Sequence, residues 1–391
     1  MAEKVMLLLV GGRSATPAIM GALQFVDEVD RIKFLLCEHK DNLYLTFQET
    51  IIRLLRASKP DLLCDDERDV KMVDANDFDE VTTAVTLLCH DEAKISYVNL
   101  TSAPQSMSFA VYNYIRTNHP QALPFSVNTH TSQITPLIPG KKPQGLTKKL
   151  DVKEYTKACD TDVFQYKFDV NNLSCTPEQA KKKAQEFTIN AAHAEQLLAL
   201  LRRAGETIKT PKTINLKKTK LPKTIDMREL RQFLAGLHEA KLISRFSEQE
   251  TQFSYRVETK YDHAFLYGDW LEYYVYLQAK ENRFDSVKMS VELQDYKGEI
   301  DVFAVHNANA LICECKTGKY QTNDLARLES KAIKLGGNYC VRLFITTALK
   351  VTPEFYSQAA NRRIVVITGN ELPQVAQKLK QEMDQPTYPR N

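Results

Sequence analysis

Three residues in the carboxyl-terminal part of the chain have the types and spacing needed to activate a water molecule. Asp301 lies in the apolar run 300–305, and Glu314 and Lys316 lie in the next run, 310–316. Both runs are rich in β-branched and apolar residues and are separated by a short polar turn, so they predict a two-stranded β-hairpin. Glu314 and Lys316 are two positions apart, which places them on the same face of their strand.

The hairpin register predicts that two carboxylates face each other. If His306 pairs with Asn309, Asp301 lies directly opposite Glu314, with their Cβ atoms roughly 5 Å apart. Carboxylates at that distance repel each other unless a cation lies between them. A divalent metal is the natural occupant, and Lys316 beside it would orient a nucleophilic water or stabilise developing negative charge.

An Asp followed by Glu-x-Lys on adjacent strands resembles the motif of PD-(D/E)xK nucleases. On this interpretation Asp301 and Glu314 are metal ligands. The alternative is a surface hairpin with a single Glu–Lys pair. Cys313 and Cys315 alternate with Glu314, so we expect them on the core-facing side of the strand.

A further acid precedes the hairpin, in the run 267–276, which predicts the start of a helix. Glu272 follows Asp269 by three residues, which is the spacing of a capping box. The functional alternative is that Glu272 reaches the hairpin as an outer ligand of the metal or of its water.

The amino-terminal part has two loops suited to binding phosphate groups. Strand 5–10 ends at a glycine turn before a helix containing Pro17, and strand 95–100 leads into another helix. Helix N-termini offer backbone N–H groups, and small residues and hydroxyls let an anion approach them. Taken alone, the glycines would also be explained by a tight turn. The candidate binding residues are Gly11, Gly12, Arg13, Ser14, Asn99, Thr101, Ser102, Ala103 and Gln105.

The elements that position these loops alternate between apolar strands and helices. This pattern predicts a Rossmann-like, doubly wound parallel sheet, in which ligands bind beyond the carboxyl ends of the strands where strand order reverses. No G-x-G-x-x-G or Walker A sequence is present, which argues against a dehydrogenase or a P-loop enzyme.

The length of 391 residues indicates two or three domains, which we place at 1–140, 141–225 and 226–391. The segment 141–223 carries 18 Lys or Arg against 9 Asp or Glu, so the rest of a chain of net charge +3 is acidic. The basic segment is either a contact for nucleic acid or a solvated linker, with 207–223 as a flexible connector. The stretch 227–257 is either a winged-helix fragment or the first packing layer of the last domain.

The eight cysteines form no C-x-x-C pair, and no apolar run is long enough to span a bilayer. We therefore expect a cytoplasmic protein without structural disulfides, without a zinc site and without membrane attachment.

Taken together, the chain resembles the CRISPR ancillary nucleases that join a CARF sensor domain to a PD-(D/E)xK nuclease domain of restriction-endonuclease-like α/β fold. The most specific matches are 268–272 and 298–301 together with 314–316, and the weaker ones are 10–13 with Pro17 and 99–102. The resemblance implies a homodimer that binds a cyclic oligoadenylate, with cyclic tetra-adenylate as the expected activator. It further implies a Mn²⁺- or Mg²⁺-dependent nuclease acting on DNA, RNA or both.

Carried over by position, the resemblance makes Asp301 and Glu314 the metal ligands, Lys316 the catalytic lysine and Glu272 the helical acid. The second sensor loop departs from the family pattern Asn-x-Thr-Gly-Gly-Thr-Lys, because Thr101 is followed here by Ser-Ala-Pro-Gln. The loss of a lysine facing phosphate would cost about 1–3 kcal/mol of binding free energy.

Two competing interpretations involve other chemistry. In one, the chain is a non-catalytic nucleotide sensor or transcriptional regulator, and 227–257 is its winged helix. In the other, the sensor domain also degrades its ligand, although its loops contain no evident general base.

Overall fold

A computed structural model of the chain describes residues 3–12, 14–90, 94–205, 211–294, 296, 298–337 and 340–388. The chain divides into two compact units. The first comprises Met1–Asp162, Val305–Ala310 and Lys334–Tyr339. The second comprises Val163–Ala304, Leu311–Ile333 and Cys340–Asn391.

The first unit is built on a seven-stranded sheet of order β3-β2-β1-β4-β5-β6-β7. Its strands are β1 (Lys4–Val10), β2 (Arg31–Cys37), β3 (Val70–Val73), β4 (Lys94–Ser102), β5 (Leu123–Asn128), β6 (Gln133–Pro136) and β7 (Gln144–Gly145). Its helices are α1 (Thr16–Phe25), α2 (Leu43–Ser58), α3 (Asp66–Asp69), α4 (Phe78–Cys89), α5 (Gln105–Asn118) and α6 (Val152–Ala158).

Helices cover both faces of this sheet, which explains why β1 is apolar at consecutive positions. Leu7 and Leu9 share a core with residues of α4 and α5, whereas α1 packs against α2. The intervening Met6 and Leu8 are equally buried. Strand β1 pairs in parallel with both β2 and β4, so strand order reverses beside it. The predicted doubly wound fold is confirmed.

The second unit contains a six-stranded sheet of order β16-β15-β14-β13-β12-β8 and a three-stranded sheet of order β10-β11-β9. The strands are β8 (Val163–Tyr166), β9 (Lys212–Lys217), β10 (Ser244–Glu248), β11 (Gln252–Val257), β12 (Ser286–Leu293), β13 (Glu299–His306), β14 (Asn309–Lys316), β15 (Cys340–Thr346) and β16 (Ile364–Ile367). The helices are α7 (Pro177–Ile189), α8 (Ala191–Gly205), α9 (Met227–Glu239), α10 (Lys260–Ala264), α11 (Trp270–Glu281), α12 (Thr322–Lys334), α13 (Pro353–Asn361) and α14 (Val375–Asp384).

The predicted hairpin is present as β13 and β14. The backbone angles of two residues explain its tight turn. Asn307 and Ala308 have φ angles of 51° and 59°, and two consecutive positive φ angles are the mark of a type I′ hairpin turn. The turn residues belong to the first unit and the remainder of both strands to the second. The two strands are neighbours in the six-stranded sheet.

The basic segment was predicted as a helical linker, but its residues up to Asp162 belong to the first unit and those from Val163 onward to the second. Residues 212–217 form a strand of the three-stranded sheet, so the predicted flexible connector is wrong over that stretch; residues 206–210 lie outside the described part. Strand β8 pairs with β12 at the edge of the six-stranded sheet.

The stretch 227–257 shares its core with the elements around the predicted site. Leu234 in α9 and Tyr255 in β11 belong to the same buried cluster as Trp270 in α11. This agrees with the interpretation of 227–257 as a packing layer of the last domain. The contact division places a boundary at residue 162, whereas the sequence suggested boundaries at 140 and 225.

Candidate active site and ligand-binding loops

The second unit contains a cleft of about 630 Å³ between the face of β13 and β14 and the helices around it. The structure brings all four predicted nuclease residues together on its wall. The acidic and basic residues that line the cleft are Lys167, Lys260, Asp269, Glu272, Glu299, Asp301, Glu314, Lys316, Arg327 and Lys331.

Asp301 and Glu314 project from neighbouring strands and are almost inaccessible to solvent, with 6% and 4% of their surfaces exposed. The backbone N–H of Cys315 donates a hydrogen bond to Asp301 Oδ2 at 2.6 Å. Cys315 and Cys313 are themselves buried in the apolar core, on the side that the alternation predicted. The hairpin therefore fixes the Asp301 carboxylate through the backbone of the partner strand.

Two lysines bind the carboxylate of Glu314. Lys316 Nζ lies 2.6 Å from Oε1, and Lys331 Nζ, from α12, lies 2.6 Å from Oε2. The side chain of Lys331 is 6% exposed, whereas that of Lys316 is 31% exposed and reaches the cleft. Lys316 is therefore the more accessible of the two lysines.

Asp301 and Glu314 differ in pKa, because burial and nearby charges act on them with different net effect. Burial, followed by the charge of Glu314, raises the pKa of Asp301 to about 7. Burial also acts to raise the pKa of Glu314, but Lys331 and Lys316 outweigh it and hold that pKa below its ordinary value. Burial acts to lower the pKa of Lys316, but the charges of Glu314 and Asp301 outweigh it and raise that pKa. Glu314 is thus the ionised partner of the pair.

Two more acids reach the cleft from the start of α11. A π-helical turn, Phe265–Asp269, precedes the helix. Burial, followed by the charge of Glu299, raises the pKa of Asp269 to about 6. Burial, followed by the charges of Asp301 and Asp269, raises the pKa of Glu272 well above its ordinary value. Asp269 makes no side-chain cap to the helix, so the capping-box interpretation of Glu272 is wrong.

This donor set fits a hard divalent cation. Buried carboxylates that raise one another's pKa values are relieved by a positive charge placed among them. Among the described residues, no three acidic, His or Cys side chains form a closed metal cage. A Mg²⁺ ion usually takes one or two carboxylates and completes its shell with water and substrate phosphate. Asp301 and Glu314 are the residues that would hold it.

In the first unit, the two predicted loops meet where strand order reverses. The backbone N–H of Gly11 donates to Ser102 O at 2.5 Å. A Cβ at Gly11 would lie 2.1 Å from Cys37 Sγ and 2.9 Å from Pro104 Cδ. A Cβ at Gly12 would have its closest contact at 3.6 Å, to Ser102 O. Gly11 is therefore required for the close approach of the loops.

Asn99 and Thr101 hold the loop together from inside. Asn99 is buried, and its Nδ2 donates to Pro17 O at 3.2 Å while its Oδ1 accepts from Thr101 Oγ1 at 2.7 Å. Thr101 Oγ1 in turn accepts from the backbone N–H of Val127 at 2.7 Å. These two side chains connect β4 to α1 and β5, which is a supporting role beneath the loop surface.

The remaining candidates differ in accessibility. Ser14 Oγ accepts from the backbone N–H of Thr16 at 3.1 Å, at the start of α1. Ser102 is buried, Ala103 is half-buried, and Gln105 is exposed at the first position of α5. Arg13 lies outside the described residues.

Sequence reasoning missed Lys331, Asp269 and Glu299 as members of the cleft. Glu299 precedes Asp301 by two positions on one strand, so alternation was a usable signal. Lys331 occupies a position on the apolar face of α12, beside the buried Leu328. A lysine within an apolar helical stripe is the signal that could have identified it.

Comparison with known proteins finds a family match over about a third of the chain. Residues 259–385 match the family model of the Card1-like endonuclease domain. The predicted endonuclease domain is thereby confirmed, and the competing interpretation of a non-catalytic regulator is not favoured. The comparison with curated proteins returns no significant relative.

Solved structures match almost the whole chain. VC1899 from Vibrio cholerae has a TM-score of 0.80 at 16% identity, covering 99% of each chain. Can2 from Sulfobacillus thermosulfidooxidans, in complex with cyclic tetra-adenylate, has a TM-score of 0.72 at 17% identity, covering 97% of this chain and 99% of that one. A type III CRISPR defence DNA nuclease activated by cyclic oligoadenylate has a TM-score of 0.50 at 13% identity, covering 90% of this chain and 47% of that one. At these identities the likeness concerns the fold, and the predicted two-part α/β architecture is confirmed.

Proposed function

We propose that this chain is a metal-dependent nuclease of type III CRISPR defence that a cyclic oligoadenylate activates. The observation that carries the proposal is the set of Asp301, Glu314 and Lys316 on one cleft wall, within a domain that matches the Card1-like endonucleases. The fold shared with Can2, which was solved with cyclic tetra-adenylate, supports the activator.

The reaction would be hydrolysis of a phosphodiester. A bound Mn²⁺ or Mg²⁺ would supply a Lewis acid and would lower the pKa of a water molecule. Asp301 and Glu314 would hold this cation, since their oxygens are hard donors in a site of low exposure. Lys316 would contact a non-bridging phosphate oxygen, where its charge stabilises the negative charge that develops during attack.

Glu272 would complete the acidic side of the site. Because burial raises its pKa, its carboxyl group holds a proton more readily than an exposed glutamate does. It is suited to accept a hydrogen bond from the attacking water once it is ionised, or to donate one while it is protonated. We therefore assign Glu272 to orienting water.

The activator would bind at the loops Gly11–Ser14 and Asn99–Gln105. Helix α5 begins here with Pro104 before it and without a side-chain cap, so its first N–H groups are available for a phosphate. Cyclic tetra-adenylate is the proposed ring, and a homodimer would present two such loop pairs to it. The altered second loop lacks the glycines and lysine of the family pattern, so backbone N–H groups would replace the lysine as phosphate donors.

The substrate would be DNA, RNA or both. Lys260 and Arg327 line the cleft and are exposed, which suits contact with a phosphate backbone. Tyr261 beside them offers a ring on which a base can stack. No helix among the described residues is both long and apolar enough to cross a membrane. All eight cysteines are free thiols, and we place the protein in the reducing cytoplasm.

Paired active-site variants test the nuclease assignment. We expect Glu314→Gln and Lys316→Ala each to reduce cleavage of plasmid and RNA at least a hundredfold, roughly the loss seen when one preorganised charge is removed. Lys319→Ala, an exposed lysine near the site, is the matched control and should cleave normally. Both active-site variants should bind cyclic tetra-adenylate as the wild type does. Undiminished cleavage in both would contradict the assignment.

Calorimetry tests the sensor assignment separately. The wild type should bind cyclic tetra-adenylate more tightly than cyclic hexa-adenylate, and Arg13→Ala should weaken binding about tenfold or more, since a charged contact to phosphate contributes about 1.5–3 kcal/mol. Arg116→Ala, on the surface at the far end of α5, serves as the control. Equal affinities of the wild type and Arg13→Ala would remove Arg13 from the site.

A further inference from the structure

Lys331 is the most completely buried cation of the nuclease cleft. It lies on α12 between the buried Leu328 and Ala332, and only 5% of its surface is exposed. Its ammonium group makes a 2.6 Å ion pair with Glu314 Oε2. A buried lysine is expensive unless it is paired, so this contact is what allows a lysine at an apolar position of the helix.

Each oxygen of Glu314 contacts an ammonium group while both lysines remain in place. Lys316 occupies the side of Oε1 and Lys331 the side of Oε2, each at 2.6 Å. A divalent cation bound to either oxygen would therefore meet an ammonium group on the same carboxylate. Like charges at such a distance repel strongly at a site of low exposure.

We propose that Lys331 is a displaceable counter-ion of Glu314, which holds this carboxylate in position while the metal is absent and withdraws from Oε2 when a metal binds. The proposal rests on the function proposed above. Lys331 is thus a positioning residue that acts through Glu314. It also sets the affinity for the metal, because binding has to overcome the Lys331–Glu314 ion pair.

Lys331 and Tyr296 both lie beside Gly298. Lys331 Cε is 3.8 Å from the position that a Cβ would take at Gly298, and the ring of Tyr296 is 3.3 Å from the same position. Lys331 and Gly298 both line the cleft. A withdrawn ammonium group would therefore remain in the cleft, where the carboxyl groups of Asp269, Glu272 and Glu299 and the phosphate of a substrate are its possible partners.

Titration with Mn²⁺ tests the proposal on the full chain, without activator or nucleic acid. We use Lys331→Met, which keeps length and apolar character but removes the charge, and we follow free Mn²⁺ by electron paramagnetic resonance at pH 8. Because a competing cation is lost, we expect Lys331→Met to bind Mn²⁺ at least about tenfold more tightly than the wild type. In cleavage assays its half-maximal Mn²⁺ concentration should fall while its maximal rate also falls, since Glu314 is less firmly held.

Two further variants separate charge from structural support. Lys334→Met removes the same charge from the same helix without contacting Glu314 and should bind Mn²⁺ as the wild type does. Lys331→Gln, a neutral donor to the same oxygen, should also bind Mn²⁺ more tightly, and it replaces Lys331→Met if that variant does not fold. If Lys331 only supported the structure, its variants would bind Mn²⁺ more weakly than the wild type.

Each outcome decides one of the two proposals. Unchanged or weaker Mn²⁺ binding in folded Lys331 variants overturns the counter-ion role, while loss of binding in Glu314→Gln still supports the proposed function. If the wild type binds no Mn²⁺, and Glu314→Gln cleaves normally, both proposals are wrong.

Discussion

Asp301 makes the stability of the metal-free protein depend on pH. Burial and the charge of Glu314 raise its pKa from 3.8 to about 7, so the folded chain holds a proton that the unfolded chain releases. Between those two values the folded state binds more protons, and stability falls as pH rises. The contribution is favourable below about pH 4 and is fully lost above about pH 7.

We therefore expect Asp301→Asn to stabilise the metal-free protein at pH 8. The melting temperature of the variant in EDTA should exceed that of the wild type by a few degrees, and the difference should shrink as pH falls towards 4. Added Mn²⁺ should raise the melting temperature of the wild type and leave that of the variant nearly unchanged. A constant difference at all pH values would show that Asp301 does not titrate in this range.

At the scale of residues, the sequence predicted the site residues that lie close together in the chain. It missed the site residues that folding brings in from further away. Asp301, Glu314 and Lys316 are linked by one hairpin, so strand alternation and a two-residue turn were enough to group them. Lys331 reaches Glu314 from a helix 17 positions further along the chain. No local pattern encodes that distance, and only the lysine's place on an apolar face hinted at it.

At the scale of elements, the close contact between the two proposed activator loops depends on one glycine. A side chain at Gly11 would collide with Cys37 and Pro104, whereas Gly12 has room for a methyl group. We expect Gly11→Ala to lower the free energy of unfolding by about 1–3 kcal/mol, the usual cost of overpacking. Gly12→Ala is the matched control and should unfold as the wild type does.

The Gly11→Ala and Gly12→Ala variants also test binding of the activator. Gly11→Ala should weaken binding of cyclic tetra-adenylate in calorimetry, because the loop must shift away from Ser102 to accommodate the methyl group. The double variant Gly11→Ala, Cys37→Ala should recover part of the lost stability, since the shortest contact is with Cys37 Sγ. Equal melting temperatures of the Gly11 and Gly12 variants would contradict the packing argument.

Elements with strong periodicity were predicted well, and elements that depend on distant partners were not. The apolar strands of the doubly wound sheet and the hairpin have clear patterns in the sequence. The stretch 212–217 has many lysines and was taken for a connector, yet it pairs with β11. Its buried Ile214 and Leu216 alternate with the exposed Thr213, Asn215 and Lys217, which is the pattern of a strand with one solvated face.

At the scale of the whole molecule, the chain divides within the elements that carry the active site. The turn of the hairpin, Val305–Ala310, and the segment that follows Ile333 at the end of α12 belong to the first unit. The first unit also contains the proposed activator loops. Glu314 and Lys331 are thus each within four residues of a segment that belongs to the first unit.

Because both elements run from one unit into the other, we expect the affinity for Mn²⁺ to depend on whether the activator is bound. If activator binding shifts the end of α12, it changes the strength of the Lys331–Glu314 ion pair and therefore the affinity for Mn²⁺. We expect cyclic tetra-adenylate to tighten Mn²⁺ binding to the wild type by roughly 5–150-fold, the usual range of allosteric coupling, and Mn²⁺ to tighten activator binding by the same factor. Paired calorimetric titrations measure both.

Lys331→Met provides the decisive comparison, because it removes the ion pair through which the coupling would act. The variant should bind Mn²⁺ tightly with or without the activator, so its coupling factor should fall close to one. Lys334→Met should keep the coupling of the wild type if the charge at Lys331 is responsible. A full coupling factor in Lys331→Met would mean that the two units communicate through another route, such as the hairpin turn.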